Sequence, residues 1–357
     1  MNSLQQLVEE FYQRHKLVGL CAAVVRGQRD IEIGVAGVRR AASGERVMTA
    51  DQWHIGSGAK SITAFLCARQ VELGKIDWHT SLSDVMGDMV ANATPETQEV
   101  TLIDLLAHRS GVRDRGLLSW IRQARRDGRS ATEQRLQLAK RLLTGAKWPA
   151  RSDVAHYSNF GYCLAAAMLE RATGTSWEDM VRAEVFLPFG MSAAGFGAPG
   201  ADGGAQPWGH AGFFRAAPKD PALKSSDFPP AMGPAGGIHL SMHEWARFAR
   251  LFFVDSATAG ILSSQGITRL TTPLSTLKDI RTSFHPSPYA LGWVVLPLET
   301  GDGEVLVHAG SNMNFFASIH IARQRNLALM IATNTGMFRA IKPVGKLQEL
   351  LLAAFRQ

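Results

Sequence analysis

The chain has 357 residues and a mass of 38.8 kDa, with 46% hydrophobic and 19% charged residues. That balance excludes a largely disordered chain and suits one large domain or two intimate ones. The formal charge of +7 and pI of about 9.5 attract polyanions non-specifically. Yet the densest basic patch, residues 113–129, also holds Asp114 and Asp127 and carries no zinc-finger or RNA-recognition motif. A solvated basic face is therefore expected, and no nucleic-acid partner.

No apolar run approaches the ~20 residues that a spanning helix needs, so no integral membrane segment is expected. Cys21, Cys67 and Cys163 are too widely spaced for a disulfide scaffold or a cysteine zinc site and read as core thiols. The N-terminus lacks the basic start and continuous apolar core of a secretory signal. As written the chain is expected in the cytoplasm, or in the periplasm or outside if a signal was trimmed from it.

Leu4, Leu7, Val8 and Phe11 recur at helical spacing and predict an opening helix. Residues 17–26 and 31–38 are rich in Val and Ile and flank Gly27-Gln28-Arg29-Asp30, which predicts two strands and a turn. A helix is expected over 57–73, with Ile62, Phe65, Leu66 and Val71 along one side and Gly74 at its end. Thr101 and Asp104 form a capping pattern for a short helix that stops before Gly111. Residues 159–172 predict another, with Gly174 beyond its end, and Ser176 caps a helix over 177–186 ended by Pro188.

Residues 194–237 are rich in Gly, Pro and Ala and too long for a simple connector, so a loop packed over something, such as a substrate cleft, is expected. Ser241 and Glu244 form a capping box for a helix to about 253. Strands are predicted over 289–296, 304–308, 315–322 and 327–333, the last two joined antiparallel by Arg323-Gln324-Arg325-Asn326. A C-terminal helix is expected over 343–355, with Pro343 in its first turn. The order implies an α+β fold: a central antiparallel sheet flanked by the N- and C-terminal helices, with a mainly helical lobe inserted. The sheet lobe would comprise 1–56 and 238–357 and the helical lobe 57–237, with an active site between them.

Acyl transfer needs a nucleophile, a base and donors for the oxyanion. The G-x-S-x-G elbow of doubly wound esterases is absent. Ser57-Gly58-Ala59-Lys60 instead places a serine and a lysine on one face of a helix start, where free N–H groups and partial positive charge gather. The same spacing recurs at Ser275-Thr276-Leu277-Lys278, and either copy taken alone also reads as a helix cap with a surface lysine. Ser57 is favoured because it follows a strand-like segment and opens a patterned helix. Tyr157-Ser158-Asn159 begins a second helix and reads either as a site element or as a cap with a packed tyrosine. His308-Ala309-Gly310 ends a strand, whose edge can present backbone N–H groups; its duplicate His210-Ala211-Gly212 lies in the Gly-rich segment, read as too floppy to do so.

In this order the three elements resemble the serine β-lactamase and penicillin-binding-protein superfamily, in its class C-like branch of class C β-lactamases, D-alanyl peptidases and family VIII esterases. Trp53-His54-Ile55-Gly56-Ser57, Leu105-Leu106-Ala107-His108-Arg109-Ser110-Gly111, Phe186-Leu187-Pro188-Phe189-Gly190-Met191, Pro234-Ala235-Gly236-Gly237-Ile238 and Leu291-Gly292-Trp293 are similar to its usual stretches, over roughly residues 1–335. The resemblance implies a β-lactamase/transpeptidase-like fold and an acyl-enzyme on Ser57. Lys60 and Tyr157 would share removal of its proton, and Tyr157 would return one to the leaving group. Asn159 would orient Lys60 and the substrate's acyl side chain. His308 would replace the lysine of Lys-Thr-Gly beside Gly310, and the N–H groups of Ser57 and Ser311 would form the oxyanion hole. It implies no metal and no organic cofactor.

A free lysine titrates near ~10.4 and a tyrosine near ~10, so bringing either to neutrality needs roughly 4 kcal/mol of differential stabilisation. Desolvation and mutual proximity can supply it, and the two groups would titrate as a pair. Histidine at 308 is largely neutral above about 6.5, and Ala309 lacks a threonine's hydroxyl, so carboxylate-bearing β-lactams would be held less tightly than by Lys-Thr-Gly. The expected substrates are small esters or amides. The alternatives are a β-lactamase or D-alanyl-D-alanine peptidase, and a non-catalytic binding or regulatory protein on the same scaffold. Trp120, Trp148, Trp208, Phe213 and Phe214 read as cleft walls or as ordinary packing. His54, His108 and His156 show no metal-ligand spacing and read as core or supporting positions. Oligomeric state is not legible.

Overall fold

The computed structural model describes residues 3–27, 31–213, 215–254, 260–278, 286–298 and 303–355. The turn residues Gln28, Arg29 and Asp30 and the candidate cleft residue Phe214 lie outside them. The main sheet comprises β1 (Gly19–Arg26), β2 (Glu32–Gly37), β3 (Val154–Ala155), β4 (Ser275–Leu277), β5 (Ser287–Tyr289), β6 (Val294–Pro297), β7 (Glu304–Ser311), β8 (Phe316–Ala322) and β9 (Leu327–Thr333). They lie in the order β2-β1-β9-β8-β7-β6-β5-β4-β3, antiparallel throughout except where β3 joins β4. The two ends of the chain pair next to one edge of this sheet, as its second and third strands, Leu20 opposite Thr333 and Arg26 opposite Leu327.

Both faces of the sheet are covered, so its inner strands are almost continuously apolar. Leu20, Ala22 and Val24 of β1 point toward α1 (Leu4–Arg14) and the C-terminal helix, while Cys21, Ala23 and Val25 join the larger core on the other face. On that larger side stand α2 (Ala59–Glu72), α3 (Leu117–Arg126), α4 (Ala131–Leu143), α5 (Asn159–Thr173) and α6 (Trp177–Val181). α2 is buried from Ala59 to Ala68 on every side, so it is a central helix rather than the one-sided one its sequence suggests. The last helix, α7 (Met337–Ala354), starts six residues before the expected Pro343, which lies inside it. A proline there removes the donor to the carbonyl four residues back, and its ring crowds that carbonyl.

The expected strand over 289–296 is two strands. The chain turns at Ala290–Trp293, closed by Ala290 N–H donating to Trp293 O at 2.8 Å. Gly292, at φ +81, comes so near α2 that a Cβ would lie 2.7 Å from Ser61 Cα. The capping boxes at Thr101/Asp104 and Ser241/Glu244 are present. The segment 194–237 is more ordered than its composition suggests: Gly195–Phe196 pairs with Ile238–Ser241, and His210–Ala211 with Ala217–Pro218. All three cysteines are buried, and burial pushes the thiols up, Cys163 to about 12. No helix among the described residues is long and apolar enough to cross a membrane.

One buried ion network ties three helices of the larger side. Arg135 of α4, fully buried, donates to Glu170 Oε1 of α5 at 2.5 Å and to Glu178 Oε2 of α6 at 2.6 Å, and Trp177 N–H donates to Glu170 Oε1 at 2.9 Å. Removing the guanidinium strands the buried Glu170 carboxylate and leaves the partly exposed Glu178 unpaired. Arg135→Ala is expected to destabilise by about 3–5 kcal/mol, read as a lower denaturation midpoint, whereas changing the exposed Arg171–Asp88 pair should move it by about 1 kcal/mol at most.

Candidate active site

The Gln52–His54 strand pairs with Ile238–Ser241, and the chain then turns through Gly56–Gly58 into α2. Gly56 has φ +51, and a Cβ there would lie 2.1 Å from Ser311 N. A Cβ on Gly310 would lie 2.1 Å from Ile55 O and 2.4 Å from Ser57 N. Only glycine allows β7 to run this close to the turn, and the approach brings the backbone nitrogens of Ser57 and Ser311 to one seam. Ser57 is half-buried there.

Lys60 is fully buried one turn further on. Its Nζ lies 2.6 Å from Ala235 O, 2.8 Å from Asn159 Oδ1 and 3.3 Å from Ser57 Oγ, donating to the first two. Burial brings its pKa from about 10.5 down to about 7, against the pull of Asp114. Tyr157 stands beside it, its ring centroid 4.7 Å from Nζ and 4.5 Å from the His108 ring. Burial, aided by Tyr289, raises the Tyr157 phenol well above 10, while its hydrogen bond with Ser57 works the other way.

Ser158, not Asn159, caps α5, its Oγ accepting from Gly161 N–H at 3.1 Å. Asn159 is thereby the first helical residue and is free to serve Lys60. Its amide cannot turn over, because Nδ2 donates to Asp114 Oδ2 at 2.7 Å and a carboxylate only accepts. Asp114 also accepts from Asn159 N–H and Phe160 N–H, each at 3.0 Å, and from Ser158 Oγ at 2.8 Å. Asp114 was legible only as part of a solvated patch; its role depends on residues 44–46 positions away, and no local pattern signals that. Ala235 O was likewise missed, because any residue supplies a carbonyl.

His308 shares a strand face with Leu306, on the side of α2, while Val305, Val307 and Ala309 face α1 and α7. Its Nδ1 lies 3.0 Å from Ala309 O, which can only accept, so the proton sits on Nδ1 and the buried Nε2 is a bare acceptor without a partner among the described residues. Burial and the neighbouring Lys60 bring its pKa to about 3, so the ring is neutral. The structure thus brings Ser57, Lys60, Tyr157, Asn159, His308, Gly310 and Ser311 together.

The duplicates lie elsewhere. Ser275 is on β4, where its Oγ donates to Ala107 O at 2.7 Å. His210 is not on a floppy loop: it is buried, with Nε2 accepting from Ala41 N–H at 3.0 Å. Trp120 packs on Phe160 in the core, Trp208 lies under Arg40, and Phe213 is exposed beside Phe338. Among the described residues no three His, Cys, Asp or Glu side chains are grouped to hold a metal.

Residues 4–345 match the family described as Beta-lactamase. The chain belongs to the beta-lactamase family. That membership makes it a hydrolase of this family. It is 24% identical over 337 residues to penicillin-binding protein 4 of Amycolatopsis lactamdurans, covering 93% of this chain and 85% of that one. It is also 24% identical over 337 residues to unguisins hydrolase ungD of Aspergillus violaceofuscus (strain CBS 115571), with 87% of this chain matched to 57% of that protein's length. Its fold is shared with the D-amino acid amidase of Ochrobactrum anthropi SV3, at TM-score 0.74 and 19% identity over 98% of this chain and 97% of the other. It is shared as well with a class C beta lactamase of Rhodobacter sphaeroides, at TM-score 0.73 and 16% identity over 97% and 98%.

The Asp114 arrangement bears on both stability and activity. Asp114→Ala removes the anionic cap of α5 and should cost about 1–2 kcal/mol. Asp114→Asn keeps one acceptor oxygen, which serves the Asn159 or the Phe160 N–H but not both, and it no longer forces the Asn159 amide. Its denaturation midpoint should fall along with that of Asp114→Ala while kcat falls further than in Asp114→Ala; equal activity of Asp114→Asn and wild type excludes this restraint.

Proposed function

We propose that the protein is a serine hydrolase that cleaves small, neutral esters or amides through an acyl-enzyme on Ser57. The observation that carries this reading is the environment of Lys60. A neutral amine has two hydrogens and one lone pair. With both hydrogens taken by Asn159 Oδ1 and Ala235 O, the lone pair is left for Ser57 Oγ at 3.3 Å. A pKa of about 7 leaves about half of the amine neutral at physiological pH, where general bases work best.

In this mechanism Ser57 Oγ attacks the acyl carbon as its proton passes to Lys60 Nζ. The oxyanion is received by the N–H groups of Ser57 and Ser311. Collapse of the tetrahedral intermediate breaks the acyl–leaving-group bond, and Tyr157, held protonated by its burial, gives the leaving group its proton and is resupplied from Lys60. Water then repeats the sequence on the acyl-enzyme. The neutral His308 offers a substrate carboxylate no charge, which supports neutral substrates over β-lactams. The D-amino acid amidase among the fold neighbours is consistent with amide chemistry on this scaffold.

Intact-mass measurement after exposure to a fluorophosphonate, a p-nitrophenyl ester and a penicillin tests the reading. A covalent adduct on Ser57 and an ester burst without penicillin turnover are expected; penicillin turnover at comparable rate points to a β-lactamase, and no adduct with any probe to a binding protein. Ser57→Ala should abolish the adduct, and Tyr157→Phe should slow acylation by orders of magnitude. An adduct formed at the wild-type rate in Tyr157→Phe removes the tyrosine from the mechanism.

The pH profile follows from the amine. Below about 7 Lys60 is protonated and cannot accept, so kcat/KM should rise with pH, close to tenfold per unit, and level off above neutrality. An acid limb near the ordinary carboxylate range of ~4 would assign the base elsewhere.

A further inference from the structure

His54 is fully buried just before the nucleophile turn, and Gly56 N–H donates to its Nδ1 at 3.1 Å. A neutral imidazole that accepts at Nδ1 carries its proton on Nε2. That nitrogen stands 3.0 Å from Asp227 Oδ2, an electrostatic contact rather than an aligned hydrogen bond. The other oxygen, Asp227 Oδ1, accepts from Asn312 Nδ2 at 3.1 Å and from Phe228 N–H at 2.7 Å. Asn312 follows Ser311, and its own Oδ1 accepts from Asn314 N–H at 3.1 Å and Phe315 N–H at 2.9 Å, which fixes the turn between β7 and β8. The Asp227 main chain is clamped from outside, where Arg125 of α3 donates to its carbonyl at 3.0 and 2.6 Å. Asp227, His54 and Asn312 are all buried.

We infer that Asp227 is a positioning residue for the oxyanion hole: its carboxylate sets the spacing of the Ser57 and Ser311 N–H groups, holding one wall through His54 and the other through Asn312. This rests on the reading that Ser57 is acylated and that those two amides receive the oxyanion.

The chemistry of the three side chains restricts what can stand at 227. The imidazole Nε2–H and the Asn312 amide both present hydrogens, so the residue between them needs two acceptors. A carboxylate has them, and a primary amide has one. Asp227→Asn must therefore turn its NH2 toward His54 or toward Asn312. Toward His54, the ring must move its proton to Nδ1, which then confronts Gly56 N–H. Toward Asn312, two NH2 groups oppose each other. In either orientation one wall of the hole loosens, and the catalytic contribution of an oxyanion donor depends on its aim.

The test compares an ester with its thionoester, in which sulfur replaces the carbonyl oxygen. A tight oxyanion hole favours oxygen over sulfur, and the ratio of the two kcat/KM values is independent of how much protein is correctly folded. In Asp227→Asn this ratio should fall about tenfold or more, through kcat, with KM for the ester nearly unchanged. Loss of one oxyanion donor outright costs about 100- to 1,000-fold, which bounds the effect. Asn312→Ala, which releases the wall that carries Ser311, should lower the ratio too. A wild-type ratio in both single variants overturns the inference. Fluorophosphonate labelling of Ser57 in the wild type is read separately: if it is absent, the acyl-enzyme reading fails and this inference with it, whereas labelling with an unaltered ratio defeats the inference alone.

Discussion

A primary amine held away from water, with carbonyl oxygens placed on two of its sides, is the constraint on which the rest of this site depends. Water would both protonate Lys60 and leave its lone pair undirected. Packing of α2 on all sides removes the water, and Ala235 O and Asn159 Oδ1 direct the nitrogen toward Ser57. The direction is only as good as the two acceptors. Asn159 is fixed by Asp114, and Ala235 belongs to the short Gly233–Gly236 helix, where Pro234 O accepts from Thr63 Oγ1 of α2 at 2.8 Å. The amine is thus set by segments that meet only when the whole chain is folded.

The sheet supplies the other half of the site for a different reason. Strand β7 is central and its backbone is held, paired with β8 from Val305 to Ser311 and with β6 from Glu304 to Val307. A rigid strand end laid against a helix start puts backbone N–H groups from two elements in one place, provided nothing projects between them. Gly56 and Gly310 meet that condition at contacts that no side chain would survive. The conformational cost of glycine in a strand and a turn is accepted here in return for approach.

Much of this was legible in the sequence because it is local. The Ser57–Lys60 pair is a helix-spacing statement, Tyr157-Ser158-Asn159 a helix start, and His308-Ala309-Gly310 a strand end, so each could be read from its own neighbourhood. The errors have a common physical cause in tertiary context. Strand propensity over 289–296 ran through Gly292, whose turn is imposed by the close approach of α2. Pro343 read as a helix start, though packing of Ala340 and Val344 against the sheet carries the helix through it. Residues 194–237 looked loose because their order comes from outside, from Arg125, Asn312 and His54 gripping Asp227 and from Trp177 and Phe186 against Phe196. Asp114 and Asp227 share this property: each is an acid whose partners lie tens of residues away, and each would pass for surface charge in a basic chain.

The same burial that lowers the Lys60 pKa works against the fold. Its pKa falls from about 10.5 to about 7, so between those values the unfolded chain binds the proton more strongly than the native one. Stability therefore rises with pH through that window, and the cost is fully present below about 7. At about 1.4 kcal/mol per pKa unit the cost is of the order of several kcal/mol, comparable to the whole margin of stability of an ordinary domain. It must be offset by packing that has no catalytic role, and the apolar residues surrounding α2 and α5, together with the Arg135 network behind α5, stand where that offset is needed. On this account the apolar packing of the helical side is what holds a buried lysine beside a serine against that cost.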